Sequence, residues 1–153
     1  MFLPLLQRAG EGIQEGGERG MAEANHSQTF KVFAVLFALL AVSNLLKPFQ
    51  LGDAGLVFFG RKLTGTANMI AGPLFGLYLL VYAFGLWNLK RFALPMGHAY
   101  ATYVVLNLIL FTAKNTPPPG VGYMIFGIVY SLVAVGVSVG AAYLLTKYKA
   151  ELS

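Results

Sequence analysis

The chain has 153 residues, 57% of them hydrophobic and only 11% charged, against about 25% charged residues in an ordinary soluble domain. Its net charge of +5 is spread as single residues and pairs at the ends of apolar runs, which fits lipid headgroups and excludes a nucleic-acid footprint. Cysteine is absent, which excludes disulfides, thiolate metal sites and cysteine nucleophiles.

Residues 1–28 read as a flexible or peripheral amino-terminal tail, with a short apolar patch at Phe2–Leu6 followed by a stretch rich in Gly and Glu. No basic region precedes the patch, and the patch is too short for the core of a cleaved signal peptide. Met21 is an internal alternative start, and Asn25, His26 and Ser27 match a glycosylation sequon that requires a lumen-facing tail.

Residues 29–149 read as the membrane domain, an all-α integral membrane bundle of four transmembrane helices with up-down topology. The first span covers about 30–47, framed by Lys31 and Lys47, both able to reach the interface. Asn44 near its end is expected to bond to a neighbouring helix or to the helix terminus. The connection 48–64 carries turn signals around Gly52, Asp53 and Gly55, and the apolar run 56–59 is too short to span. It is expected to form an interfacial turn, a re-entrant piece or an edge packed on a partner. Asp53, isolated among the acidic residues, is read as a surface turn residue.

The second span covers 65–89, with Pro73 expected to kink or break it and Gly72 and Gly76 spaced for a close helix contact. Trp87, Asn88, Lys90 and Arg91 anchor its end at an interface, and the short turn that follows makes the second and third spans an antiparallel pair. The third span, 92–113, is 22 residues without a charge, about 33 Å of helix. The prolines at 117–119 then favour a rigid strut outside the hydrocarbon core. The last span, 120–146, carries Gly127, Ser131, Gly136 and Gly140 as a small-residue packing face, more persistent than the Gly72 and Gly76 pair.

Chemistry concentrates on the third span, where His98, Tyr100, Tyr103 and Asn107 form the candidate ligand-binding set. Asn107 lies several residues from either boundary, and its amide is costly in lipid unless partnered. One reading is a polar seam facing a small cavity or a bound quinone, lipid or pigment; the other is a Tyr–Asn hydrogen-bonded helix contact. His26 and His98 are the only histidines, and His26 falls in the tail, so a two-histidine haem site is excluded. A lone ligand to haem or chlorophyll at His98 remains the narrower alternative. The spans hold no Asp, Glu or Cys, which argues against a metal centre and a proton-driven transporter. No cofactor is required by any motif, and no acid–base pair can be assembled, which argues against an enzyme.

With four spans, Arg8, Arg19, Lys31, Lys90, Arg91, Lys147 and Lys149 share one side and Lys47, Arg61, Lys62 and Lys114 the other. The bias places both termini inside, in a plasma or inner membrane. The expected function is a structural or assembly subunit of a larger membrane complex, whose partners are lipids and other membrane subunits. The competing readings are a homo-oligomeric channel or small-molecule carrier lined by Asn107, and a quinone- or lipid-binding protein.

Overall fold

A computed structural model describes residues 26–49, 55–116 and 120–153. The expected tail up to residue 25, the turn at Asp53 and the proline strut at 117–119 lie outside the described residues. Four helices are present: α1 described over His26–Leu45, α2 over Gly65–Trp87, α3 over Ala93–Lys114 and α4 over Val121–Lys147. Each is long and apolar enough to cross a membrane. At about 1.5 Å per residue they measure roughly 30–40 Å, matching a hydrocarbon core of about 30 Å. The protein is a multi-pass membrane bundle. A 3-10 turn, Lys47–Phe49, follows α1, and a small antiparallel hairpin of β1 (Val57–Phe58) and β2 (Arg61–Lys62) precedes α2.

The up-down course is visible in the contacts at one end. Tyr148, just past α4, is 2.7 Å from His26 at the start of the described part of α1. Helix α1 is therefore already formed within the stretch assigned to the tail, where the His26 ring packs on Tyr148 at 4.0 Å between centroids. At the same end the last residues fasten onto the α2–α3 turn. The Arg91 amide donates to the Ser153 carbonyl at 3.1 Å, and the Ser153 amide donates to Leu89 at 2.9 Å. Leu152 is buried between them.

That turn explains why α2 stops. Leu89 takes a left-handed φ of 50°, and the Lys90 amide reaches back to the Gly85 carbonyl at 2.8 Å while the Leu89 amide turns to Leu86 at 3.4 Å. This pair of bonds is a Schellman ending, with leucine where glycine is usual. Earlier in the same helix the chain runs unbroken through Pro73.

The packed core occupies the end that holds this turn. Phe30, Ala34, Phe37 and Ala41 recur at three- and four-residue spacing on α1 and meet Leu79, Tyr82 and Leu86 of α2. In α3 the buried residues are Ala93, Gly97, Tyr100 and Ala101, all in its first half; in α4 they are Ser138, Ala141, Ala142 and Leu145, all in its second half. At the opposite end residues 111–116 and 121–130 are exposed throughout. The first half of α4 is thus uncovered at the end away from this turn.

Lipid tails are as apolar as the helices, so close packing and hydrogen bonds hold this core rather than water exclusion. Gly76 makes the tightest case: a Cβ there would stand 2.8 Å from the Ala41 carbonyl oxygen and 2.9 Å from Leu45. At Gly72 it would stand 2.7 Å from Lys47. The two glycines let α1 and α2 meet backbone to backbone. Among the described residues nothing lies within 4 Å of a Cβ placed at Gly127 or Gly136, and one at Gly140 meets Phe33 at 3.6 Å. The isolated pair is thus the close contact within this chain, while most of the persistent small-residue face of α4 points away from it.

Candidate functional site

The polar residues of α3 divide among three tasks. Tyr100 is buried in the aromatic core, its ring 5.3 Å from Phe37 and edge-on to it. Tyr103 and Asn107, one turn apart, face the hairpin that precedes α2. The Tyr103 hydroxyl donates to the Val57 carbonyl at 2.8 Å, and Asn107 Nδ2 donates to the same oxygen at 3.1 Å. Asn107 Oδ1 accepts from the Gly60 amide at 2.9 Å. His98 faces α4, with Nε2 2.9 Å from Thr146 Oγ1.

The hairpin has a two-residue turn in which Phe59 (φ 47°) and Gly60 (φ 74°) are both left-handed, the pattern of a type I′ turn. Gly60 is required twice over. Its φ suits glycine, and a Cβ would lie 2.6 Å from the Leu110 backbone. Phe58 and Phe59 pack on the Tyr103 ring at 5.8 and 5.9 Å. Asn68 Oδ1, in the first turn of α2, accepts from the Leu56 amide at 2.8 Å, and Asn115 Nδ2 reaches Gly60 O at 3.4 Å.

Asn107 precedes Lys114 by seven residues, about 10 Å along the helix. Non-helical backbone at that depth is tolerated only where its polar groups are satisfied. Tyr103, Asn107, Asn68 and Asn115 supply the partners, so the amide of Asn107 and the backbone of the hairpin satisfy one another. The partner of Asn107 is therefore the connection before α2, rather than a residue of another helix.

Asn68 and Asn115 were not singled out in the sequence. No sequence signal pointed to them, because Asn68 accepts from Leu56 ahead of the turn and Asn115 donates to the Gly60 carbonyl, contacts set by how the hairpin lies on α2 and α3. At His98, the Thr146 hydroxyl spends its one proton on the Ala142 carbonyl at 2.9 Å. The same hydroxyl lies within hydrogen-bond distance of His98 Nε2, which ties the imidazole of α3 to α4. Among the described residues no group of three or more His, Cys, Asp or Glu side chains comes together.

Two described features have no use within the chain. The Tyr82 hydroxyl is buried with no hydrogen-bond partner among the described residues. The first ten residues of α4 present Tyr123, Phe126 and Tyr130 outward, with Phe126 71% exposed and stacked on Tyr130. No protein-family model matches the chain, and no curated protein and no solved structure matches it.

Proposed function

We propose that this protein is a structural or assembly subunit of a larger membrane complex, and that the outer half of α4 is where it joins its neighbours. The observation that carries this reading is the uniform exposure of residues 121–130, where a Cβ added at Gly122 or Gly127 would meet nothing within 4 Å among the described residues. Only 11% of the most apolar window of α4 is buried, against 39% for α2. Small residues on a helix face gain little against fluid lipid but permit close approach of another helix. The aromatic side chains beside Gly127 supply the bulk such a neighbour would pack against.

The engagement of Tyr103 and Asn107 by the hairpin supports a structural role for the polar seam over a conducting one. Among the described residues, Lys31, Lys90, Arg91, Lys147 and Lys149 lie toward the α2–α3 turn and Lys47, Arg61, Lys62 and Lys114 toward the other end, a bias that supports placing the described ends of α1 and α4 on the inner side of a plasma or inner membrane. Purification in a gentle detergent followed by native mass measurement tests the reading. It predicts an assembly with nonidentical membrane polypeptides. A lone 16.5 kDa chain, from membranes in which known assemblies survive the same extraction, overturns it.

A further inference from the structure

The hairpin of β1 and β2 rests its turn on one face of α3. Asn107 Oδ1 takes the Gly60 amide at 2.9 Å, a Cβ at Gly60 would lie 2.6 Å from the Leu110 backbone, and Asn115 Nδ2 reaches the Gly60 carbonyl at 3.4 Å. Arg61 follows Gly60 directly. Lys114 lies one turn past Leu110 on the same face of α3 and immediately precedes Asn115. Docking of the hairpin therefore gathers two cations, distant in sequence, at one end of α3.

Both side chains are exposed, and neither makes an ion pair, hydrogen bond or ring contact with the described residues. Among those residues the one carboxylate side chain is that of Glu151, at the opposite end. Like charges brought together oppose the docking that the hydrogen bonds favour, and an anion shared between them removes that opposition. Beside the cations, Phe58 and Phe59 are both exposed and stand edge to face at 4.8 Å. Unpaired cations next to outward aromatic rings, at the end of a membrane-spanning helix, match a molecule with a phosphate at the polar boundary and apolar chains beneath it.

We propose that Arg61 and Lys114 share the phosphate of one anionic glycerophospholipid, which bridges the hairpin to α3. Charge complementarity names the occupant, because a zwitterionic lipid brings its own cation to the pair. A lipid that binds only the docked hairpin also holds it closed, so lipid and docking stabilise one another. The lipid site is independent of the subunit role, since it uses no residue of α4.

The test uses the full chain in nanodiscs of phosphatidylcholine alone and of equal parts phosphatidylglycerol and phosphatidylcholine. Hydrogen exchange at residues 55–64 is read against residues 149–153 at the opposite face, which feel the same surface charge. Phosphatidylglycerol should slow hairpin exchange about fivefold or more relative to that reference. Arg61→Gln, and independently Lys114→Gln, should each cut the slowing about fivefold, while Lys31→Gln at the opposite end should leave it unchanged. Asn107→Leu removes no charge, yet by opening the hairpin it should lower the phosphatidylglycerol retained per chain in native mass measurement. Equal exchange in the two bilayers, or a difference that survives both glutamines, overturns the proposal. Protection reproduced in phosphatidylcholine by millimolar inorganic phosphate overturns the lipid as occupant. Retention unchanged by Asn107→Leu, in a chain whose hairpin exchanges fast, overturns the bridge.

Discussion

Replacing Asn107 by leucine removes two bonds and leaves one buried donor without a partner. The Val57 carbonyl keeps its bond from Tyr103, so losing Nδ2 there costs about 0.6 kcal/mol, the average for such bonds within a membrane bundle. The Gly60 amide has no replacement acceptor at its 2.9 Å contact, and an orphaned buried donor costs about 1–3 kcal/mol. Together the hairpin should lose about 1.6–3.6 kcal/mol of docking stability, which corresponds to roughly 15- to 400-fold more frequent opening. Hydrogen exchange followed by mass spectrometry in nanodiscs reads this directly. Amides in residues 55–64 should exchange faster by that factor, while those in the first half of α3 stay protected. Tyr103→Phe should give a smaller effect, because Asn107 still donates to Val57. The two substitutions together should be non-additive, since both act on one oxygen. If Asn107→Leu leaves the hairpin protected and instead abolishes passage or binding of a small molecule, the seam is a path or a ligand site, and the structural reading of Asn107 is wrong.

The glycines separate two kinds of contact. Gly76→Ala should destabilise the isolated chain by about 1–3 kcal/mol in reversible unfolding from mixed micelles, because its Cβ meets backbone that cannot give way. Gly127→Leu and Gly136→Leu should leave that unfolding unchanged and weaken copurification with neighbouring subunits. Tyr82→Phe should stabilise the bundle by about 1 kcal/mol, since it removes a buried hydroxyl without a partner. In that background Gly97→Ala should cost less than it does alone, because the hydroxyl that its Cβ would meet at 2.7 Å is gone; equal costs in the two backgrounds would refute the contact. Leu152→Ala should lower the melting temperature through a loss of about 2 kcal/mol at the α2–α3 turn, an effect absent from Glu151→Gln.

Charge-free runs and their basic flanks announced four long apolar helices, although α1 is described over His26–Leu45 against an expected 30–47. The α2 and α3 helices begin within one residue of the expected starts, and α4 is displaced by one residue at each end. Hydropathy reports where a helix can lie in lipid, and that information is local. Which face meets which neighbour is not local. Gly72 and Gly76 carried a weaker pattern than Gly127 to Gly140, yet only the former meet another backbone, because α1 happens to lie against them. The need of Asn107 for a partner was legible from the cost of its amide in lipid. The identity of that partner was hidden, because the turn at Phe59 and Gly60 lacks the Asn-Gly or Asp-Gly pair that announces a tight hairpin. The fastening of Leu152 and Ser153 to the α2–α3 turn depends on two backbone bonds and one buried side chain, which leave no periodic trace in so short a segment.

The subunit role is tested most directly by cross-linking from the exposed half of α4 in native membranes. A photoreactive residue at position 126 should give one discrete adduct with a nonidentical membrane polypeptide. The same probe at position 32, an outward site on the packed part of α1, should label lipid alone. Lipid-only labelling at both positions, with the protein intact and inserted, would contradict the assignment of α4 as a subunit interface.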